Sequence, residues 1–183
     1  MELYCRSVSI FDEQLMNDFN QEHLDLETSI LGGDASLIIG KSYNDFDSFY
    51  DWFKVVSKLD IEEDLENGQV GCSVYLVFDK ADDNLIGIFD IRHSLDYPNG
   101  DLLGHIGVDI RPSERGKGYY KNILELCIKE CINFSIFSIV ISCEYDNITS
   151  KRGIEHLFEL DKEMIPLDET YLYIYKKDIG KVD

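Results

Sequence analysis

The segment from residue 104 to residue 131 constrains the fold more than any other part of the chain. It begins with an apolar, strand-like run, Gly104–Ile110, and continues into a turn, Arg111–Tyr119, with two glycines and three basic side chains. A helical pattern follows, with apolar residues at Tyr120, Ile123, Leu124, Cys127, Ile128 and Cys131. The first turn of a helix has unpaired N–H groups and the positive end of the helix dipole. Because glycine lets the backbone approach an anion closely, this arrangement predicts a phosphate-binding turn.

Two common nucleotide-binding loops do not match this turn. The P-loop spacing, in which a Ser or Thr follows the glycine and lysine, is absent, and so is the hydroxyl that would reach magnesium. Gly116 and Gly118 are not followed by the third glycine of the dinucleotide fingerprint. A nucleotide-binding protein is therefore a weak reading. A solvated loop that precedes a helix is the plainer alternative to an anion site.

As a whole, the turn resembles the acyl-CoA-binding motif of the GNAT N-acetyltransferase superfamily. That motif has an apolar residue, a proline, an arginine or glutamine, a glycine, and a second glycine or an alanine at fixed spacing. The corresponding positions here are Ile110, Pro112, Arg115, Gly118 and Tyr120. The first four match. Tyr120 departs from the small residue usual there, which affects the fine geometry of the pyrophosphate contact more than the assignment.

A second match lies downstream of the predicted helix. Residues 135–143 form an apolar, β-branched run that predicts a buried strand. In the superfamily this strand is followed by an asparagine and, three residues later, a serine or alanine, which open the next helix. Asn147 and Ser150 occupy these places. The alternative for Asn147 is an ordinary helix N-cap, which asparagine favours with or without a ligand.

The resemblance implies a mixed α/β (α+β) fold with a central mixed sheet, a splayed parallel strand pair and flanking helices. It implies one domain over 1–183, with an acceptor-side part over 1–70 and a CoA-binding core over 72–176. Acetyl-CoA is the implied cosubstrate. The residues implied to contact it are Val108, Ile110, Arg115, Gly116, Lys117, Gly118, Tyr119, Tyr120, Asn147 and Ser150.

The resemblance weakens where the family keeps its acid–base residues. Ile154 takes the place of a tyrosine that protonates the departing thiolate in many members, and Ile106 and Gly104 take the places of the usual base. Nearby side chains that exchange protons are the catalytic candidates: Asp90, His93, His105, Glu144 and Tyr145. Tyr120 is a further candidate for protonating the thiolate, as is water. The alternative for each candidate is an ordinary polar residue on the open face of a strand.

The charge of −19 argues against nucleic acid and anionic membranes as partners. Four basic residues over 111–121 form a local island suited to an anionic cofactor. The five cysteines are odd in number and scattered through apolar runs, which indicates reduced thiols in a cytoplasm. Cys127 and Cys131 have no matching Cys or His pair, so no metal site is expected. No run approaches the about 18 apolar residues of a membrane span, and no secretion signal is evident at the N-terminus.

Periodicity and turn residues predict the remaining elements. They are a strand over 2–9, a helix over 11–26, a loop or weak strand over 31–41, a helix over 45–59, a hairpin of strands over 73–79 and 85–92, and a last strand over 170–175.

The sequence thus predicts a cytoplasmic N-acetyltransferase, monomeric or homodimeric, that transfers an acetyl group directly to a small-molecule or peptide amine. No cysteine has a neighbouring histidine in sequence, which argues against an acyl-enzyme. The rival reading is a catalytically impaired CoA-binding sensor or interaction module. Asp90, Glu144 and Asp146 are further expected to form a negative mouth that concentrates cationic amines.

Overall fold

The computed structural model describes residues 2–30 and 32–180; Leu31, the first residue of the predicted segment 31–41, lies outside them. The helices are α1 (Glu13–Asp25), α2 (Ser36–Ile39), α3 (Phe49–Asp60), α4 (Gly100–Leu103), α5 (Tyr120–Asn133) and α6 (Ile148–Ile154). The strands are β1 (Leu3–Ser7), β2 (Cys72–Asp79), β3 (Leu85–Arg92), β4 (Ile106–Ile110), β5 (Ser138–Glu144), β6 (Glu159–Leu167) and β7 (Thr170–Asp178). None of the described helices is long and apolar enough to cross a membrane.

The strands form two antiparallel sheets, with the orders β1-β2-β3-β4 and β5-β7-β6. This arrangement confirms the predicted mixed α/β fold class and divides its central sheet into two parts. Helix α5 is the crossover that leads from β4 in the first sheet to β5 in the second.

Helices cover both faces of the four-stranded sheet. On one face, the apolar stripe of α3, which includes Trp52 and Val56, packs with Val74 and Leu76 of β2. On the other face, α5 brings Ile123, Leu124, Cys127 and Cys131 against Val77, Phe89 and Ile91. Because both faces are buried, β2 and β3 are nearly continuous apolar runs instead of alternating ones.

The two sheets meet at one point and then separate. An isolated bridge of antiparallel type joins Gly104 to Ile141, and the His105 N–H donates to the Val140 carbonyl at 2.7 Å. Gly104 has a φ of +79°, and a Cβ there would lie 2.4 Å from the Val140 carbonyl oxygen, so only glycine fits. Among the described residues β4 and β5 share no ladder, so the predicted strand pair is splayed from Ile106 onward.

Several parts of the secondary structure differ from the prediction. Residues 36–39 form the short helix α2 in place of the predicted loop or weak strand, and the predicted helix over 45–59 begins only at Phe49. Strand β6 was not predicted at all. It is an exposed edge strand rich in charged residues, so it lacks the apolar alternation by which a half-buried strand is recognised.

Candidate active site

The turn before α5 presents an open backbone. Gly116 and Gly118 have φ values of +76° and +86°, and a Cβ added at either would meet nothing within 4 Å. Among the described residues, the backbone N–H groups of 116–120 have no hydrogen-bond partner. These five donors lie at the positive end of the 14-residue helix α5. The geometry is that of an anion-binding cradle.

The predicted basic island is electrically balanced. Each of its four cations has an acidic partner: Arg111 with Glu22 at 2.6 Å, Arg115 with Asp109 at 3.0 Å, Lys117 with Glu114 at 2.8 Å and Lys121 with Glu125 at 3.9 Å. The basic island expected from the sequence is therefore matched by carboxylates that the fold brings beside it. The unpaired N–H groups and the helix dipole supply attraction for an anion that does not depend on these cations.

Helix α1 holds this turn from the far side. The carboxylate of Glu22 accepts hydrogen bonds from the Arg111 Nε at 2.6 Å and from the Ser113 backbone N–H at 3.2 Å. Burial acts to raise the pKa of Glu22, but these hydrogen bonds prevail and lower it. The next residue, His23, is fully buried and lies 3.0 Å from Nη2 of Arg115. Sequence reasoning missed Glu22 and His23 because no local pattern connects residues about 90 positions apart.

A cleft of about 340 Å³ opens between the separated strands. Its walls are formed by Ile106, Gly107 and Val108 of β4 and by Ile141, Ser142, Cys143 and Glu144 of β5. Tyr120, Asn147 and Ser150 line it beside α5 and α6. The remaining lining residues are Gly32, Leu37, Arg92, Leu103, Leu167, Thr170 and Leu172.

The departure of Tyr120 from the motif is compensated on the facing helix. A Cβ at Gly153 would lie 2.2 Å from Cδ1 of Tyr120, so the absence of a side chain at Gly153 makes room for the ring. Burial raises the pKa of Tyr120, and a hydrogen bond with the Ser150 side chain acts in the opposite direction. Asn147 caps α6 by accepting the Ser150 N–H at 3.1 Å. Tyr120, Asn147 and Ser150 are therefore brought together in the cleft.

The predicted catalytic residues at the end of β5 lie in different surroundings. Glu144 is exposed and lines the cleft. Tyr145 is 45% exposed, is not among the residues lining the cleft, and packs edge-on against Tyr171. Only Glu144 of this pair is placed to meet a ligand between the strands.

Asp90 is buried beneath the cleft and serves the fold. Its side chain is 1% exposed and lies 3.1 Å from Nη2 of Arg92, which is equally buried. Asp90 also accepts hydrogen bonds from the backbone N–H groups of Gly33 and Ala35, at 3.0 and 3.2 Å, and so holds the 32–35 segment over the sheet. The expected contribution of Asp90 to a negative mouth is therefore wrong, because its charge is buried against a guanidinium.

His105 is also engaged within the fold. Its Nδ1 accepts the Val140 N–H at 3.0 Å, which connects the two sheets beside the isolated bridge. Burial, together with the charge of Arg92, lowers the pKa of His105 to about 4. The ring is therefore neutral at pH 7, and it is not among the residues that line the cleft.

A second polar cluster lies away from the cleft. The Ser73 hydroxyl is 2.9 Å from Nε2 of His93, and Nδ1 of His93 is 2.9 Å from the Glu62 carboxylate. This order resembles a hydrolytic triad. However, Ser73 is fully buried and donates its proton to Asp60, so it presents no accessible nucleophile.

Comparison with solved structures supports the fold, whereas comparison of sequences finds no match. No model of a protein family matches the chain, and no curated protein matches it. Solved structures do. One is an acetyltransferase from Salmonella typhimurium that modifies the N-terminal serine of ribosomal protein L7/L12, with 16% identity, 97% and 95% of the two chains covered, and a TM-score of 0.63.

Two further structures are similar over nearly their whole length. RimL, a ribosomal L7/L12 alpha-N-protein acetyltransferase in complex with coenzyme A, has 18% identity and a TM-score of 0.62, with 97% of this chain and 94% of that one covered. The spermidine/spermine N-acetyltransferase SpeG from Vibrio cholerae has 14% identity and a TM-score of 0.57, with 96% and 92% covered. The chain therefore has the fold of these N-acetyltransferases, as its resemblance to the GNAT superfamily implied.

Proposed function

We propose that the protein is an acetyl-CoA-dependent N-acetyltransferase that transfers the acetyl group directly to a primary amine. The observation that carries the proposal is the open turn at residues 116–120, with five unpaired N–H groups at the start of α5 and a cleft alongside. A pyrophosphate fits that cradle. A thioester arm fits a cleft whose walls are two strands that have separated.

The residues proposed to contact the cosubstrate are drawn from those that the resemblance implied. The backbone of Gly116, Lys117, Gly118, Tyr119 and Tyr120 would hold the pyrophosphate. The cleft walls, including Val108, would hold the pantetheine arm. Arg115 and Lys117 are already paired with Asp109 and Glu114, so we assign them to shaping the turn more than to binding phosphate.

Glu144 and Tyr120 are the side chains proposed to exchange protons. Both line the cleft. The amine nitrogen bonds to the thioester carbonyl carbon, the carbon–sulfur bond breaks, and the sulfur leaves as a thiolate. Glu144 accepts the proton released by the amine, directly or through water, and Tyr120 donates one to the thiolate. Burial raises the pKa of the Tyr120 phenol, so the phenol is protonated at neutral pH; the same shift weakens it as an acid, and the hydrogen bond with the Ser150 side chain acts against the shift.

The proposed division of the chain follows the cleft. Residues before 70 supply Gly32 and Leu37 to one side of it and form the proposed acceptor side. The proposed CoA-binding core over 72–176 supplies β4, α5, β5 and α6. The proposed compartment is the cytoplasm, which agrees with five cysteines that are all unpaired thiols.

Calorimetry with acetyl-CoA, followed by an amine panel scored by release of free thiol, tests the proposal. We expect acetyl-CoA to bind and at least one primary amine to be acetylated. Binding without turnover of any amine would favour the rival, a CoA-binding sensor or interaction module. Absence of binding would refute both readings.

A further inference from the structure

The lining of the cleft differs from the rest of the molecule in its charge. The chain contains 36 aspartate and glutamate residues. Among those that the structure describes, one, Glu144, lines the cleft. Arg92, the one cation among the described lining residues, is 1% exposed and pairs with the equally buried Asp90. A cleft built to collect polycations would present several carboxylates, and this one does not.

Four leucines line the cleft. They come from three separate parts of the fold: Leu37 from α2, Leu103 from α4, and Leu167 and Leu172 from the β6–β7 hairpin. The last three belong to a small apolar cluster that also includes Val140 and Ile174, and Leu103 packs against one of the two main cores as well. Leu37 is 47% exposed, so it offers apolar surface that no other described residue covers fully.

Gly32 shapes the space between these leucines and β4. Its Cα carries no side chain, and a Cβ there would lie 3.3 Å from the Val108 backbone nitrogen. The segment is held down by the hydrogen bonds from Gly33 and Ala35 to Asp90. The segment that leads to Leu37 is therefore held close to β4, the strand beside which the thioester is proposed to lie.

We infer that the acceptor is a primary amine carried on an apolar group about the size of a leucine or phenyl side chain, and not a polyamine; this inference rests on the proposed function. The apolar group would lie against Leu37, Leu103, Leu167 and Leu172, and the amine would point toward Glu144. Burial of a group of this size favours binding by about tenfold or more.

Steady-state rates with matched amines test the inference. The apolar acceptors are 3-methylbutylamine and 2-phenylethylamine, and the charged ones are 1,4-diaminobutane and spermidine, all with acetyl-CoA saturating. We expect kcat/KM to be at least about tenfold higher for the apolar pair. The variant Leu37→Glu should reduce the ratio of kcat/KM for the apolar amines to kcat/KM for the charged amines at least about tenfold. The new carboxylate would lie where the apolar group is proposed to bind, and it would favour the second ammonium of a diamine.

The matched control is Leu160→Glu. Leu160 is 49% exposed, close to the 47% of Leu37, and it is not among the cleft-lining residues. In Leu160→Glu, the ratio of kcat/KM between apolar and charged amines should equal that of the wild type. Acetyl-CoA affinity should be the same in all three proteins. Equal or faster transfer to the diamines, or an unchanged ratio in Leu37→Glu, would overturn the inference and leave the acetyltransferase proposal intact. Failure to bind acetyl-CoA would instead refute the proposed function.

Discussion

The turn before α5 gives the sharpest test of the cosubstrate site, through Gly118→Asp. The change places a carboxylate beside the unpaired N–H groups of residues 116–120. Two opposed unit charges at 4 Å interact by about 1 kcal/mol in water and about 4 kcal/mol near a protein surface; like charges repel by the same amounts. A pyrophosphate has two negative charges, so repulsion by the new carboxylate should make acetyl-CoA binding less favourable by about 2 to 8 kcal/mol. Acetyl-CoA affinity should therefore fall at least about 30-fold.

The same change also strains the backbone. Gly118 has a φ of +86°, where a residue with a side chain costs about 1–2 kcal/mol. For a chain of this length, that lowers the melting temperature by about 2–8 °C. Loss of affinity must therefore be separated from loss of stability. Calorimetry with acetyl-CoA, well below the melting temperature measured for each variant, makes the separation.

Gly68→Asp is the matched control. Gly68 has the same φ of +86°, and a Cβ there would make only ordinary contact with Pro98 at 3.7 Å. Gly68→Asp should lose about as much stability as Gly118→Asp does, and it should bind acetyl-CoA with the affinity of the wild type. Gly118→Asn, which keeps the shape and removes the charge, should bind more tightly than Gly118→Asp. Affinity of Gly118→Asp within threefold of the wild type would show that the turn is not the pyrophosphate site.

Three further outcomes follow from the contacts of the site. The double variant Lys117→Ala/Glu114→Gln should change acetyl-CoA affinity less than about threefold, measured by calorimetry, because it removes both charges of an ion pair that has no net charge; a larger loss would show that the lysine itself contacts the phosphate. Tyr120→Phe should leave acetyl-CoA affinity unchanged and reduce kcat at least about tenfold; an unchanged kcat would exclude the phenol as the acid. The pKa of His105 is lowered to about 4 in the folded protein, so below pH 6.5 the unfolded state binds more protons than the folded state. The free energy of unfolding should therefore fall by up to about 3 kcal/mol as the pH is lowered from 6.5 to 4. Urea unfolding of His105→Gln should lack this histidine's contribution, and an unchanged pH dependence would contradict the assignment.

Local features of the sequence were sufficient to predict the strand, turn and helix around Gly116 and Gly118. Positive φ values and an open turn are properties of a few consecutive residues, and the glycines reveal them. The pairing of the basic residues could not be predicted in the same way. Glu22 contacts Arg111 only because α1 folds back over the turn, and nothing local to either residue indicates that approach.

The spacing of Asp90 and Arg92 in the sequence does indicate the structural role of Asp90. Asp90 and Arg92 are two residues apart in an apolar strand, so their side chains share one face of the sheet. Opposite charges at that spacing, in a strand buried on both faces, indicate an ion pair more than a catalytic acid. For His105, by contrast, the decisive contact is with Val140 across the junction of the sheets, which depends on the tertiary fold.

The division of the strands into two sheets also has a consequence for how copies of the molecule behave toward one another. Apart from the bridge at Gly104, β4 pairs only with β3 and β5 only with β7 among the described residues. Each of these two strands therefore has an edge of backbone N–H and C=O groups that can pair with an extended segment of another molecule. A pantetheine arm would cap both edges at once. The formal charge of −19 keeps ligand-free copies apart, so self-association should become a hazard when salt screens that repulsion.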